Sequence, residues 1–196
     1  METKPLVVIV GPTASGKTAL AIELAKQFDG EIICADSRTI YKGMDIGTAK
    51  PTLEERSIVP HWGLDLVEPG EPFSAYDFKK YAESKIEEIR SRGKVPFIVG
   101  GTGLYVDAVL FDYQFGVPAD QALRKVLQNM SIEELLEYCN KNNIILPENA
   151  QNKRYLIRSI EQNNAYPKRR DTPIDDAIIV GIATDRAVLR QRIRLR

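Results

Sequence analysis

Gly11-Pro12-Thr13-Ala14-Ser15-Gly16-Lys17-Thr18 is a complete G-x-x-x-x-G-K-T phosphate loop. The apolar run Leu6-Val7-Val8-Ile9-Val10 precedes it, and Ala19-Leu20-Ala21-Ile22-Glu23-Leu24-Ala25-Lys26 follows. A strand before and a helix after are the context this motif requires. In that context the backbone N–H groups of the loop, at a helix N-terminus, form a nest for phosphate oxygens. Gly11, Thr13, Ala14, Ser15, Gly16, Lys17 and Thr18 are therefore the candidate phosphate-binding residues. Lys17 supplies a point charge, and the Thr18 hydroxyl is a candidate Mg²⁺ ligand. A tight strand–helix turn would explain the glycines but not Lys17 and Thr18 beside them. The loop does not say whose phosphates it holds.

Working outward, strand-like and helix-like runs alternate over the first 110 or so residues. Leu6–Val10 reads as a buried strand and Thr18–Phe28 as a helix that Gly30 ends. Glu31–Ala35 reads as a second strand, with Asp36-Ser37 at its end, and Gly63–Val67 as a third. Ser74–Arg92 is a helix with Ser74 as N-cap, Asp77 three residues on, and an apolar stripe of Phe78, Tyr81, Ile86 and Ile89. Val95–Val99 is a strand leading into Gly100-Gly101-Thr102-Gly103. This alternation predicts an α/β fold, a mostly parallel sheet flanked by helices. In such sheets ligands collect at the carboxyl ends of the strands.

The texture changes near Gly116. Pro118–Gln128, Ser131–Lys141 and Asn152–Gln162 read as amphipathic helices with no strand between them, which predicts a small helical insertion lobe. Asn163–Pro173 is polar and carries Lys168-Arg169-Arg170 in a loop. Ala177–Ala183 returns to a buried-strand pattern, and Thr184-Asp185 caps a helix from Arg186 to Arg196. The expected organisation is a core of residues 1–115 and 174–196 and a lobe of residues 116–173.

Lys and Arg number 27 and Asp and Glu number 27, so no global basic field exists and any nucleic-acid contact must be a local patch. Lys153, Arg154 and Arg158 on one helix, with Arg154 and Arg158 sharing a face, are the candidates. Cys34 and Cys139 lack metal-ligand or C-x-x-C spacing and read as reduced thiols. No signal peptide or spanning segment is visible, so a cytoplasmic protein that engages no membrane is expected.

An Asp at a strand end beside a phosphate loop either holds Mg²⁺ through water or accepts a proton from a nucleophile; an Asx-turn is the structural alternative. Asp36 occupies that place. The phosphate loop, Asp36-Ser37, Tyr41-Lys42-Gly43-Met44-Asp45-Ile46-Gly47-Thr48-Ala49-Lys50-Pro51, Pro60-His61, Phe73-Ser74-Ala75 and Gly100-Gly101-Thr102-Gly103-Leu104-Tyr105 together closely resemble the tRNA dimethylallyltransferase (tRNA isopentenyltransferase) family. The resemblance is nearly continuous over residues 5–112. Beyond them it is carried by Pro118-Ala119-Asp120, Leu123-Arg124, Asn152-Lys153-Arg154, Ile157-Arg158, Asp185-Arg186, Leu189, Arg192-Ile193 and Arg196.

The resemblance implies a P-loop NTPase-like sheet that binds the diphosphate of dimethylallyl diphosphate. The exocyclic amine of an adenine beside the tRNA anticodon attacks the allylic carbon, and pyrophosphate leaves with Mg²⁺ assistance. It implies Asp36 as the base, Thr102 as a hydrogen-bond partner for phosphate, and Arg192 as a guanidinium gripping the diphosphate from the far side. Ser37, Thr39 and Asp45 fall on its tRNA side. A monomeric enzyme is expected.

The family usually has Gln where this chain has Thr39, and a second His where it has Trp62; His61 reads as structural. It also usually continues past the arginine-rich helix into further helices, so the chain reads as short at its C-terminus. Two other readings fit the residues: an adenylate (free-nucleotide) isopentenyltransferase, and a P-loop small-molecule kinase, for which Asp36 would serve equally as base.

Overall fold

The computed structural model describes residues 3–116, 120–163 and 168–195. The expected helix start at Pro118, the neighbouring Ala119, part of the polar run after Asn163, and Arg196 lie outside the described residues. The described chain forms two compact units: residues 1–112 with 170–196, and residues 113–169.

The first unit is built on a five-stranded parallel sheet of β1 (Leu6–Val10), β2 (Gly30–Ala35), β3 (His61–Trp62), β4 (Val95–Gly100) and β5 (Ala177–Gly181), in spatial order β3-β2-β4-β1-β5. Its helices are α1 (Lys17–Gln27), α2 (Leu53–Ile58), α3 (Ala75–Ser91), α4 (Gly103–Leu110) and, after β5, α8 (Arg186–Arg194). The parallel α/β reading of the alternating runs is borne out. β2 is buried at every position, as a strand covered on both faces should be. Ile9, Ala21, Ala25, Ile32, Cys34, Val59, Phe97 and Val99 close one core beneath α1. α3 starts on a capping box in which Ser74 and Asp77 satisfy each other's backbone donors, and it buries Phe78, Ala82, Ile86 and Ile89. Phe78 stacks on Tyr105 of α4 with centroids 4.4 Å apart.

Register decides what meets at the sheet's carboxyl edge. Gly100 lies opposite both Val10 and Ala35. The next residues of the three strands, Gly11, Asp36 and Gly101, therefore leave the sheet at one level. Gly100 is forced by this crowding: a Cβ there would come within 2.0 Å of the Ala35 carbonyl oxygen.

Two strand expectations are corrected. Gly63–Val67 is not a strand, because Gly63 (φ 78°) and Asp65 (φ 55°) sit in the left-handed region and cannot extend. The third strand is His61–Trp62 instead, and Val67 makes only a bridge to Tyr41. Trp62 fastens that strand: its indole N–H donates to Glu31 Oε2 at 2.7 Å, and the Lys85 ammonium lies 3.9 Å from the ring centroid. The buried strand expected over Ala177–Ala183 is the second correction. β5 ends at Gly181 and is an edge strand, with Ile178 52% and Ile179 45% exposed. Continuous apolar runs look alike in central and edge strands, so composition alone does not separate them.

The second unit contains α5 (Gln121–Asn129), α6 (Ile132–Lys141) and α7 (Lys153–Gln162). Asp120, Ser131 and Asn152 cap them, and Leu127, Leu135, Cys139, Leu156, Ile157 and Ile160 form the core. Glu161 on α7, whose side chain is 1% exposed, accepts two 2.6 Å hydrogen bonds from Arg124 and one from Arg158. Arg124→Met leaves that carboxylate with Arg158 as its remaining guanidinium. The expected loss is about 2 kcal/mol, below the range for fully buried pairs because Arg124 keeps a third of its surface in water. Thermal unfolding checks this through a lowered midpoint; an unchanged midpoint would show that the pair adds nothing net.

Candidate active site

The loop between β1 and α1 has the backbone an anion requires. Ala14 (φ 64°) and Gly16 (φ 95°) are both left-handed, which turns successive N–H groups toward one point. Gly16 caps α1 without a side-chain hydrogen bond, so no side chain competes for the helix's leading N–H groups. Lys17 Nζ donates to Gly11 O at 2.8 Å and Pro12 O at 2.7 Å, which ties its ammonium to the rim of the loop. Ser15 Oγ is buried and has no hydrogen-bond partner among the described residues. Leaving a hydroxyl so costs free energy unless it meets a ligand oxygen.

A cleft of about 650 Å³ opens beside this loop. Thr13–Ala19 line one side and Asp36, Thr39, Gly100 and Gly101 the sheet edge. Ile32, Cys34 and Val99 make its floor, and Thr48, Ala49, Pro51, Glu55 and His61 its far wall. Arg192 of α8 also lines it and donates from Nη1 to Ala14 O at 3.1 Å. The cleft is therefore cationic and rich in N–H groups at one end and largely apolar along its floor. Burial pushes the Cys34 thiol up to about 12, so it is an inert surface here and not a nucleophile.

Asp36 is half-buried at the end of β2. Its Oδ1 accepts the Arg38 N–H at 2.8 Å, the Asx-turn that the sequence also allowed, while the residue lines the cleft. Turn and cleft are thus served by the same carboxylate. Thr102 is bonded to Ser37. Its hydroxyl accepts from Ser37 N at 3.0 Å and donates to Ser37 Oγ at 3.3 Å, lashing the residue after Asp36 to the β4–α4 turn. Thr39 is buried, with its hydroxyl directed to Asp36 O at 3.4 Å.

Asp45 pairs through Oδ1 with Lys50 at 2.6 Å, and its side chain remains 64% exposed. Lys50 has a fully buried side chain and also pairs with Asp65 at 2.7 Å. Burial alone would lower its pKa, but the hydrogen bonds it donates to both carboxylates outweigh that and raise it. In the helical unit, Arg158 pairs with Glu161 and Lys153 Nζ donates to Gln128 O, while Arg154 is exposed.

Sequence reasoning missed the far wall of the cleft. His61 is part of it. Its Nδ1 lies 2.7 Å from Val59 O, which can only accept, so Nδ1 carries the proton and Nε2 is an acceptor. Nε2 is buried without a partner among the described residues, and burial lowers the imidazole's pKa. Only the pairing of β3 with β2 brings this ring to the cleft, and a two-residue strand leaves no periodic signal.

The model of the IPP transferase family matches residues 39–196, and that of isopentenyl transferases matches residues 4–59. A tRNA dimethylallyltransferase of Bacillus anthracis is 42% identical over all of this chain and 67% of its own length. A full-length tRNA isopentenylpyrophosphate transferase from Bacillus halodurans has a solved structure that superposes with a TM-score of 0.68 at 40% identity, covering 99% of this chain and 64% of that one. A eukaryotic dimethylallyltransferase solved acting on tRNA superposes with a TM-score of 0.78 at 26% identity, over 97% of this chain and 51% of that one. The chain thus spans about two thirds of the length of the curated relatives it matches.

Proposed function

The chain belongs to the IPP transferase family, and from that premise we propose that it transfers a dimethylallyl group from dimethylallyl diphosphate to the exocyclic amine of an adenine beside the anticodon of tRNA. The observation that carries the reading is the composition of the cleft. One end is a phosphate nest with Lys17 and Arg192, and the floor beside it is apolar. A diphosphate esterified to a short hydrocarbon matches both halves.

In this reading the amine nitrogen attacks the allylic carbon bonded to the diphosphate. The carbon–oxygen bond breaks, and pyrophosphate leaves with its electron pair. Asp36 takes the proton that the nitrogen loses. The loop N–H groups, Lys17, Ser15 and Arg192 stabilise the charge that builds on the leaving group. Arg192 has the forked donor geometry that suits a diphosphate. Thr102 acts as a positioning residue, because its tie to Ser37 fixes the strand end that carries Asp36.

Enzymes of this kind usually need a metal ion. The residues fit Mg²⁺: the Thr18 hydroxyl is a hard oxygen donor lining the cleft. No group of three or more His, Cys, Asp or Glu able to hold a metal occurs among the described residues, which suits an ion carried mainly by the substrate's phosphates. Bound there, it would neutralise charge on the departing pyrophosphate. Arg154, with Lys153 and Arg158, is proposed to meet RNA phosphates. No helix among the described residues is long and apolar enough to cross a membrane, and the enzyme is proposed to act as a cytoplasmic monomer.

Calorimetric titration tests the donor. With Mg²⁺ present, dimethylallyl diphosphate should bind much more tightly than ATP. Tighter binding of ATP would overturn this assignment in favour of a kinase.

A further inference from the structure

One polar atom of the cleft takes no part in the transfer. Every second side chain of a strand lies on the same face. Asp36, Cys34 and Ile32 therefore descend one side of β2, from the carboxyl edge into the floor. His61 of β3 is in register with Ile32. It lies four residues deeper than Asp36, on the order of 13 Å below the edge at the usual strand rise. The phosphate loop starts at the level of Asp36, so phosphate nest and imidazole stand at opposite ends of the apolar floor. The ring is fixed by Nδ1–H, which donates to Val59 O at 2.7 Å. Nε2 is then an acceptor, buried and without a partner among the described residues. Its neighbours in the wall are already engaged: Glu55 accepts Thr52 N at 2.7 Å, and the Thr48 hydroxyl donates to Met44 O. A buried acceptor left unpaired costs free energy, and a ligand that brings a donor to this end of the cleft would recover it.

We propose that the cleft takes an allylic diphosphate whose five-carbon tail ends in a hydroxyl, and that this hydroxyl donates to His61 Nε2. The inference rests on the reading above of a prenyl diphosphate as donor, and adds a substituent to its tail. With the diphosphate in the nest and the reacting carbon near Asp36, the tail runs along Cys34 toward Ile32 and His61. A plain hydrocarbon tail leaves Nε2 unpaired; a hydroxylated one satisfies it. The bonds made and broken are those of the plain donor. The amine nitrogen bonds to the allylic carbon, the carbon–oxygen bond to the diphosphate breaks, and pyrophosphate leaves with the electron pair. Asp36 receives the proton, and the tail hydroxyl passes intact into the product. His61 thus determines donor specificity; it holds a group remote from the reacting carbon and moves no proton.

His61 is the only histidine of the chain, so protein carrying ¹⁵N-labelled histidine gives one pair of imidazole nitrogen signals. With Mg²⁺ and no RNA, 4-hydroxylated dimethylallyl diphosphate should move the Nε2 signal upfield, as a nitrogen that accepts a hydrogen bond does, and leave Nδ1 in place. Dimethylallyl diphosphate should move Nε2 much less. The two donors are then set in competition for transfer to tRNA, and the products, which differ by one oxygen, are counted by mass spectrometry. Wild-type protein should favour the hydroxylated donor about fivefold in kcat/KM, the contribution of one neutral hydrogen bond. His61→Asn keeps a donor for Val59 O but has no acceptor at the Nε2 position, and should bring the ratio to about one. His61→Gln reaches that position with its amide oxygen and should restore the preference. If His61→Asn slowed both donors alike and kept the ratio, His61 would be structural and the proposal overturned. An Nε2 signal that the hydroxylated donor does not move, or that moves only when RNA is added, would overturn it as well. Binding of neither diphosphate would overturn the reading of the donor itself.

Discussion

Lys17→Ala is expected to leave the sheet folded and to lower transfer by about 10²–10³-fold, the loss typical of removing one preorganised donor to a developing anion. The physical reason is the position of the ammonium. It sits on the loop carbonyls of Gly11 and Pro12, already at the rim of the phosphate nest, so little reorganisation is needed when the diphosphate arrives. In the reaction the leaving group gains negative charge, and a cation fixed beside it lowers the barrier more than it strengthens ground-state binding. The loss should therefore appear in kcat as well as in KM. Alanine favours the first turn of α1, so the helix survives. Steady-state kinetics with circular dichroism on the same preparation checks both halves. Near-normal turnover would remove Lys17 from the chemistry.

Asp36→Asn is expected to cut kcat by about a hundredfold or more, within the range for a lost general base, while the affinity for dimethylallyl diphosphate changes little. The substitution is discriminating because an amide oxygen can still accept the Arg38 N–H, so the turn that holds residue 36 is kept. Only proton acceptance is lost. A loss concentrated in donor binding would instead place Asp36 in the shell of the metal ion.

What could be read from the sequence depended on how local the cause was. The phosphate loop declares itself because its glycines, lysine and threonine are consecutive and flanked by the required strand and helix. Ser74 and Asp77 declare a helix start for the same reason, since a capping box spans four residues. Asp36 was legible through its place at a strand end, and the register that sets Gly11, Asp36 and Gly101 at one level gives that place its physical meaning. Contacts made across the fold were not legible. The burial of Lys50 between Asp45 and Asp65 depends on a partner 15 residues away and has no local signature. The bond between the Thr102 hydroxyl and Ser37, 65 residues away, has no local signature. His61 reaches the cleft wall only through a two-residue strand, and β5 looks buried because an apolar run does not reveal that one of its sides has no neighbouring strand.

The most direct test of the account is the chemical identity of the product. The full chain is incubated with Mg²⁺, dimethylallyl diphosphate and unmodified tRNA, and the RNA is digested to nucleosides for mass spectrometry. The account predicts adenosine carrying a dimethylallyl group on its exocyclic nitrogen, from the position beside the anticodon, with one pyrophosphate released for each group transferred. Unmodified tRNA together with prenylated free adenylate, or a phosphorylated product formed only when ATP is supplied, would contradict it.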